Sequence, residues 1–182
     1  MTNDVKELII NENHPLFDRT GMFYKEFPSD FRQIRYFTLL IVQKAPPEIK
    51  EINLLEQQIS EIIKNAVKHG NKNDPEKKIR VWYSFSTAHA HLIVEDEGEG
   101  FQGLEEWNQF NRKRLEAFQA QDFDNLGNYV SYRTIKSDEH DGGNAMFAAV
   151  EYWNDGVVFN SKKNGVAVGK TFPQRRLGLE IS

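Results

Sequence analysis

The chain has 182 residues and a formal net charge of −4, with 39% hydrophobic and 27% charged residues. Such a chain can bury roughly 70% of the surface its unfolded form exposes, so one packed domain fits and wholesale disorder is excluded. The absence of cysteine excludes disulfide scaffolds, thiol catalysis and cysteine zinc sites. An isoelectric point near 5.8 gives no footprint for direct nucleic-acid binding. No apolar run reaches about 18 residues, and the opening MTNDVK lacks the parts of a signal peptide. The expectation is a soluble, cytoplasmic, globular domain.

In chain order, residues 1–20 carry no clear period and read as an N-terminal extension, with a single domain over 21–182. Residues 21–27 read as a strand ended by Pro28. Ser29 and Asp30 are helix-capping residues, and Phe31, Ile34, Phe37 and Ile41 follow at helical spacing until Ala45-Pro46-Pro47 stops the helix. A second helix is predicted over 48–69, with Ile52, Leu55, Ile59, Ile62 and Ala66 as its apolar stripe. Residues 70–75 are loop chemistry. Ile79, Val81, Tyr83 and Phe85 alternate with polar neighbours, and His91 to Asp96 supplies the partner of a hairpin. After the glycine-bearing break at 97–101, Leu104, Trp107, Phe110, Leu115 and Phe118 predict a third helix to about Gln121. Residues 122–140 are mixed and polar, 144–152 form a short helix, and 157–159 with 166–172 read as a closing hairpin. The class is α+β, mostly antiparallel strands backed by helices.

Two features carry chemistry. Glu61 and Asn65 are one helical turn apart, about 40° around the wheel, at the rim of the apolar stripe. An Asn there can offer a neutral oxygen to magnesium when phosphates supply the charge, and a Glu one turn back can accept a proton or hold a water. A solvated helix edge explains the same pair. The second feature is Asp96-Glu97-Gly98-Glu99-Gly100-Phe101 at a strand end. Its carboxylate can take a hydrogen bond from a ligand amine, and its glycines let backbone approach a flat ring. An ordinary acidic turn reads the same way.

Taken together, Glu61-xxx-Asn65, a hairpin and Asp96-x-Gly98-x-Gly100 resemble the N box and G1 box of the GHKL, or histidine kinase-like, ATPases. The run from Glu61 to Asn71 is most similar to the anti-sigma factor serine/threonine kinases, as is the lead-in of strand, Pro28-Ser29 and helix. The resemblance spans about Phe23 to Phe172 and implies a two-layer sandwich, a mixed, mostly antiparallel sheet backed by helices. It implies ATP and Mg²⁺ as cofactors. Asn65 would hold the metal, Glu61 would be the catalytic base and Asp96 would receive the adenine amino group. Gly98 and Gly100 would shape the adenine pocket, Lys68 would lie near phosphate, and Gly142 and Gly143 match the G2 box, whose backbone amides meet phosphates. Its implied partners are an anti-sigma factor antagonist, which would be phosphorylated, and a sigma factor, which would be sequestered. Homodimerisation stays open.

The chain departs from that pattern in three places. Ala145 stands where the G2 box has a second glycine, and Gly165-Val166 replaces a Gly-Thr pair. Asp138, Glu139 and Asp141 crowd carboxylates toward the expected triphosphate, with Arg133 and Lys136 as nearby compensation. These departures keep a noncatalytic protein-binding regulator in view; a split histidine kinase catalytic domain is weaker, because no dimerisation helix pair is present. His89 and His91 read as a strand face with no third metal ligand. Trp82, Trp107 and Trp153 read as core or interface anchors, and Arg175-Arg176 is too short to signify nucleic acid.

Overall fold

The computed structural model describes residues 6–121 and 140–174, with side chains in the last helix from Ala145 onward. The strands are β1 (Ile9–Ile10), β2 (Phe23–Pro28), β3 (Lys78–Phe85), β4 (His89–Glu95), β5 (Gly156–Phe159) and β6 (Gly165–Thr171). They form one sheet in the order β1-β5-β6-β4-β3-β2, parallel between β1 and β5 and antiparallel elsewhere. The described α-helices are α1 (Ile34–Val42), α2 (Ile52–Lys64), α3 (Leu104–Gln119) and α4 (His140–Tyr152).

Alternation decides which face of the sheet meets the helices. Ile79, Val81 and Tyr83 of β3 are fully buried or nearly so, as are Leu92 and Val94 of β4 and Val168 of β6. They pack against Phe37 and Ile41 of α1, Leu55, Ile59, Ile62 and Ile63 of α2, and Met146 and Val150 of α4 in one apolar cluster. Each such aliphatic side chain contributes about 1.5–3 kcal/mol through removal from water, which makes α2 the central support of the core. Trp107 and Trp153 are buried as expected.

Several boundaries differ from the sequence reading. The second helix starts at Ile52, because residues 46–49 close a turn in which the Ile49 amide bonds the Pro46 carbonyl. Its last six residues, Asn65–Gly70, are π-helical. Asp30 caps its helix through the Arg32 amide (3.0 Å), after which a 3-10 turn, Phe31–Gln33, leads into α1. Ser29 does not cap. It is fully buried and its hydroxyl donates to the Lys77 carbonyl. On α3 the buried face is Leu104, Trp107, Asn108, Asn111 and Ala117, whereas Phe118 is 68% exposed. The reason is α3's partner, a length of backbone that needs hydrogen bonds. Asn108 accepts from the Leu8 amide and donates to the Leu8 carbonyl (both 2.9 Å), and Asn111 donates to the Lys6 carbonyl. The final helix begins four residues before the predicted Asn144.

Residues 6–20, which the sequence presents as an aperiodic extension, are part of this architecture. Leu8 is buried against the core and β1 adds an edge strand. The chain then returns across the outer face of the sheet toward β2 at the opposite edge. There Leu16 lies over Gly156 and Gly169, which are cross-strand partners. A β-carbon at Gly169 would fall 2.8 Å from the Leu16 side chain. Ile93, Val158 and Ala167, on that outer face, are completely buried. His91 is therefore not a free strand face, since its Nε2 bonds the Leu16 carbonyl. Among the described residues no three metal-ligating side chains converge, and no helix is long and apolar enough to cross a membrane. A two-residue strand and a 3-10 turn (Pro15–Phe17) are too short to leave a period in the sequence, which is why this stretch is illegible there.

Candidate functional site

The site is built where the end of α2 meets the end of β4. As the residue after the last one of β4, Asp96 alternates with Leu92 and Val94 and so belongs to the helix-facing side of the sheet. Its backbone is held on both sides by Asn164, whose carbonyl accepts the Asp96 amide (2.9 Å) and whose side-chain amide donates to the Asp96 carbonyl (3.1 Å). Asn160 in turn takes the Asn164 and Gly165 amides, so the β5–β6 turn is a rigid anchor for this carboxylate.

The Gly98 amide donates to Asp96 Oδ1 at 2.8 Å, while Oδ2 has no hydrogen bond among the described residues. Burial raises the Asp96 carboxyl from its ordinary 3.8 to about 6, with the Gly98 amide opposing the rise. A half-buried carboxylate with one oxygen satisfied and one open is an acceptor awaiting a donor.

Glycines wall this carboxylate because nothing larger fits. A β-carbon at Gly70 would lie 2.2 Å from Asp96 Oδ2, and one at Gly98 would lie 2.1 Å from the Gly70 carbonyl oxygen. Gly100 has φ +97°, a conformation that favours glycine, and its β-carbon would meet the Lys162 carbonyl at 2.1 Å. Asn71, completely buried, locks the same corner. Its side chain donates to Ser29 Oγ (2.8 Å) and to the Lys78 carbonyl (3.0 Å) and accepts the Glu97 amide (2.7 Å).

The predicted residues thus fall into three groups. Asp96, Gly98 and Gly100 form one loop. Glu61 and Asn65 stand one turn apart and half-buried on α2, whose π-helical continuation runs from Asn65 directly to Gly70. Glu61 also borders a cleft between α1 and α2 with Arg35, Thr38 and Ser60. Lys68, from the same continuation, has its ammonium 5.6 Å from the Phe31 ring centroid, toward the start of α1. Gly142 and Gly143 lie in the first turn of α4, and the Gly142 amide is among those with no intrahelical acceptor. Arg133, Lys136, Asp138 and Glu139 lie outside the described residues, as do Arg175 and Arg176, and the side chain of Asp141 is likewise outside them.

Sequence reasoning does not single out Gly70, Asn71, Asn160 or Asn164 for the site. Gly70 and Asn71 read there as the start of a loop and as the end of the run that resembles the anti-sigma kinases, with no role of their own. The signal lies in their position: directly after a helix that carries functional side chains, a Gly-Asn pair can close the chain against a strand end.

The family model for the histidine kinase-like ATPase domain matches residues 27–150, more than half of the chain, and the protein belongs to that family. The fold agrees with it, and membership implies nucleotide binding. Curated relatives include the anti-sigma F factor of Shouchella clausii (strain KSM-K16), 29% identical over 68 residues, 37% of this chain and 47% of that protein. The anti-sigma F factor of Geobacillus sp. (strain WCH70) is 26% identical over 103 residues, 56% of this chain and 70% of the relative. That of Geobacillus kaustophilus (strain HTA426) is 32% identical over 68 residues, 37% of this chain and 47% of the relative. The chain thus spans about half the length of the first of these relatives.

Proposed function

We propose that the protein is an adenine-nucleotide-dependent regulator of the anti-sigma kinase kind, which transfers phosphate to serine or threonine of a small antagonist protein and sequesters a sigma factor in the cytoplasm. The observation that carries the reading is the glycine-walled carboxylate. Asp96 keeps one oxygen open beside Gly70, and the helix that delivers Gly70 also carries Glu61 and Asn65. A purine amino group suits the open oxygen, and the side-chain-free backbone at Gly98 and Gly100 suits the approach of a flat ring. The amide oxygen of Asn65, where α2 passes into its π-helical continuation, suits a hard cation such as Mg²⁺ bound mainly through phosphates.

In this reading Asp96 accepts the base amine, Gly98 and Gly100 let the backbone approach the ring, and Asn65 offers its oxygen to the cation. Lys68 and the first-turn amides of Gly142 and Gly143 face negative charge. Glu61 accepts the proton of the incoming hydroxyl and orients it, which is the main demand of phosphoryl transfer. Bound nucleotide with its metal would supply the phosphoryl group and the charge that balances it. The names of the anti-sigma F factor relatives support the partner class.

The alternative, a noncatalytic regulator with the same fold, is favoured by Ala145 in place of a glycine and by Asp138, Glu139 and Asp141. Calorimetry with ATP and ADP, with and without Mg²⁺, followed by incubation of γ-labelled ATP with candidate antagonist proteins, separates the two. Magnesium-dependent ATP binding with label on serine or threonine supports the kinase. Binding without label on any candidate supports the regulator, and no binding removes the kinase.

A further inference from the structure

The segment across the outer face of the sheet ends beside the site. Arg19 lays its guanidinium over the Trp82 ring, 3.7 Å from the centroid, and pairs with Glu95, the last residue of β4 and the neighbour of Asp96. Arg80 stands directly opposite Glu95 in the β3–β4 register, yet it is turned to Glu26 at 3.6 Å. The cation that Glu95 holds is thus brought from 76 residues away by a stretch that belongs neither to the helices nor to the strand pair.

We propose that Arg19 is a positioning residue of the candidate nucleotide site, acting through Glu95. It neutralises and holds the carboxylate next to Asp96, and so extends into mildly acidic solution the range over which Asp96 accepts a ligand amine. The proposal rests on the reading of Asp96 as the base-binding carboxylate. Two charges reach Asp96, with Glu95 opposing its ionisation and Lys77, just before β3, favouring it. On its own segment Glu97 is occupied by the Lys78 amide and Glu99 is exposed. His69 and Lys163 adjoin the glycine contacts at Gly70 and Gly100. Of these groups, Glu95 is the one paired with a cation that residues 6–20 bring across the outer face of the sheet.

The test is the carboxyl titration of Asp96, followed by ¹³C NMR in the ligand-free full chain, for wild type, Arg19→Gln, Arg19→Lys and the double variant Arg19→Gln/Glu95→Gln. Arg19 is 40% exposed, so these variants should fold. Arg19→Gln should raise the Asp96 midpoint by about half a pH unit, the size of one unbalanced nearby charge in a partly aqueous setting. Arg19→Lys should restore most of the wild-type value, and the double variant should return to it. ATP affinity of Arg19→Gln should be about twofold weaker at pH 6 and equal to wild type at pH 8. An unmoved midpoint in Arg19→Gln, or a midpoint still raised in the double variant, overturns the proposal. Midpoint shifts in a protein that binds no adenine nucleotide leave the Arg19–Glu95–Asp96 linkage standing and overturn the nucleotide reading instead.

Discussion

Gly70 and Asp96 touch so closely that the first has no room for a side chain. A β-carbon at Gly70 would stand 2.2 Å from Oδ2 and 2.4 Å from Cγ of Asp96. The contact joins the end of the helix that carries Glu61 and Asn65 to the carboxylate at the end of β4. Gly70→Ala should therefore displace the Asp96 carboxylate without opening the core. Losing one charge-assisted hydrogen bond costs about 1.5–3 kcal/mol, so ATP and ADP affinity should fall roughly 10- to 100-fold. Calorimetry on a variant whose melting temperature stays near wild type checks this, and full affinity would remove Gly70 from the site.

Asp96→Asn separates stability from binding. The folded carboxyl, at about 6, lies above its ordinary 3.8, so the folded state favours the protonated form. The resulting penalty is fully present above about pH 6 and absent below about 3.8. The variant should accordingly be more stable than wild type at pH 7, by up to about 3 kcal/mol, and equal to it at pH 3.5. It should also bind ATP and ADP more weakly, and by the same factor, because both carry the adenine. Denaturant melts at the two pH values together with titration calorimetry test both halves.

Asn71→Ala should be costly for a different reason. It removes the Asn71 partner of the Lys78 carbonyl and the Glu97 amide, and leaves the Ser29 hydroxyl only its bond to the Lys77 carbonyl, in a corner where Asn71 is fully buried. Unsatisfied buried groups of this kind predict a loss of about 2–4 kcal/mol in chemical denaturation. A loss below about 0.5 kcal/mol would show that water replaces the side chain.

On the proposed reading, Asn65→Ala deletes an oxygen ligand and Asn65→Asp adds charge beside the phosphates. Either change should reduce the gain in ATP affinity that Mg²⁺ gives, while metal-free binding stays close to wild type. Isothermal titration across Mg²⁺ concentrations measures that gain directly; an unaltered gain in both variants would assign the cation elsewhere.

On the proposed kinase reading, Glu61→Gln keeps the shape of the helix edge and removes the proton acceptor. Phosphoryl transfer to the antagonist should slow by roughly 10²–10⁴-fold with nucleotide affinity near wild type. Single-turnover label transfer is the measurement, and an undiminished rate would refute the base role.

Local pattern by itself determined the α+β class, because periods of two and 3.6 in apolar residues are direct consequences of which face is buried. Those two periods alone assign Ile79, Val81 and Tyr83, and likewise Leu55, Ile59 and Ile62, to the core, where all six are buried. Local pattern also raised Glu61, Asn65 and Asp96 as candidates, but a solvated helix edge and an ordinary acidic turn fit the same pattern, and the family resemblance was what suggested their roles. Three matters were decided only by tertiary structure. Gly70 became a wall because α2 continues as a π-helical turn into the end of β4, and no local window spans the distance along the chain between Gly70 and Asp96. Asp96 acquired its raised carboxyl from burial, which depends on everything packed around it. Residues 6–20 found their place because the sheet needed cover on its outer face and α3 offered Asn108 to a passing backbone. Such contacts are long-range matches of shape and hydrogen bonding, and they leave no period in the sequence that makes them.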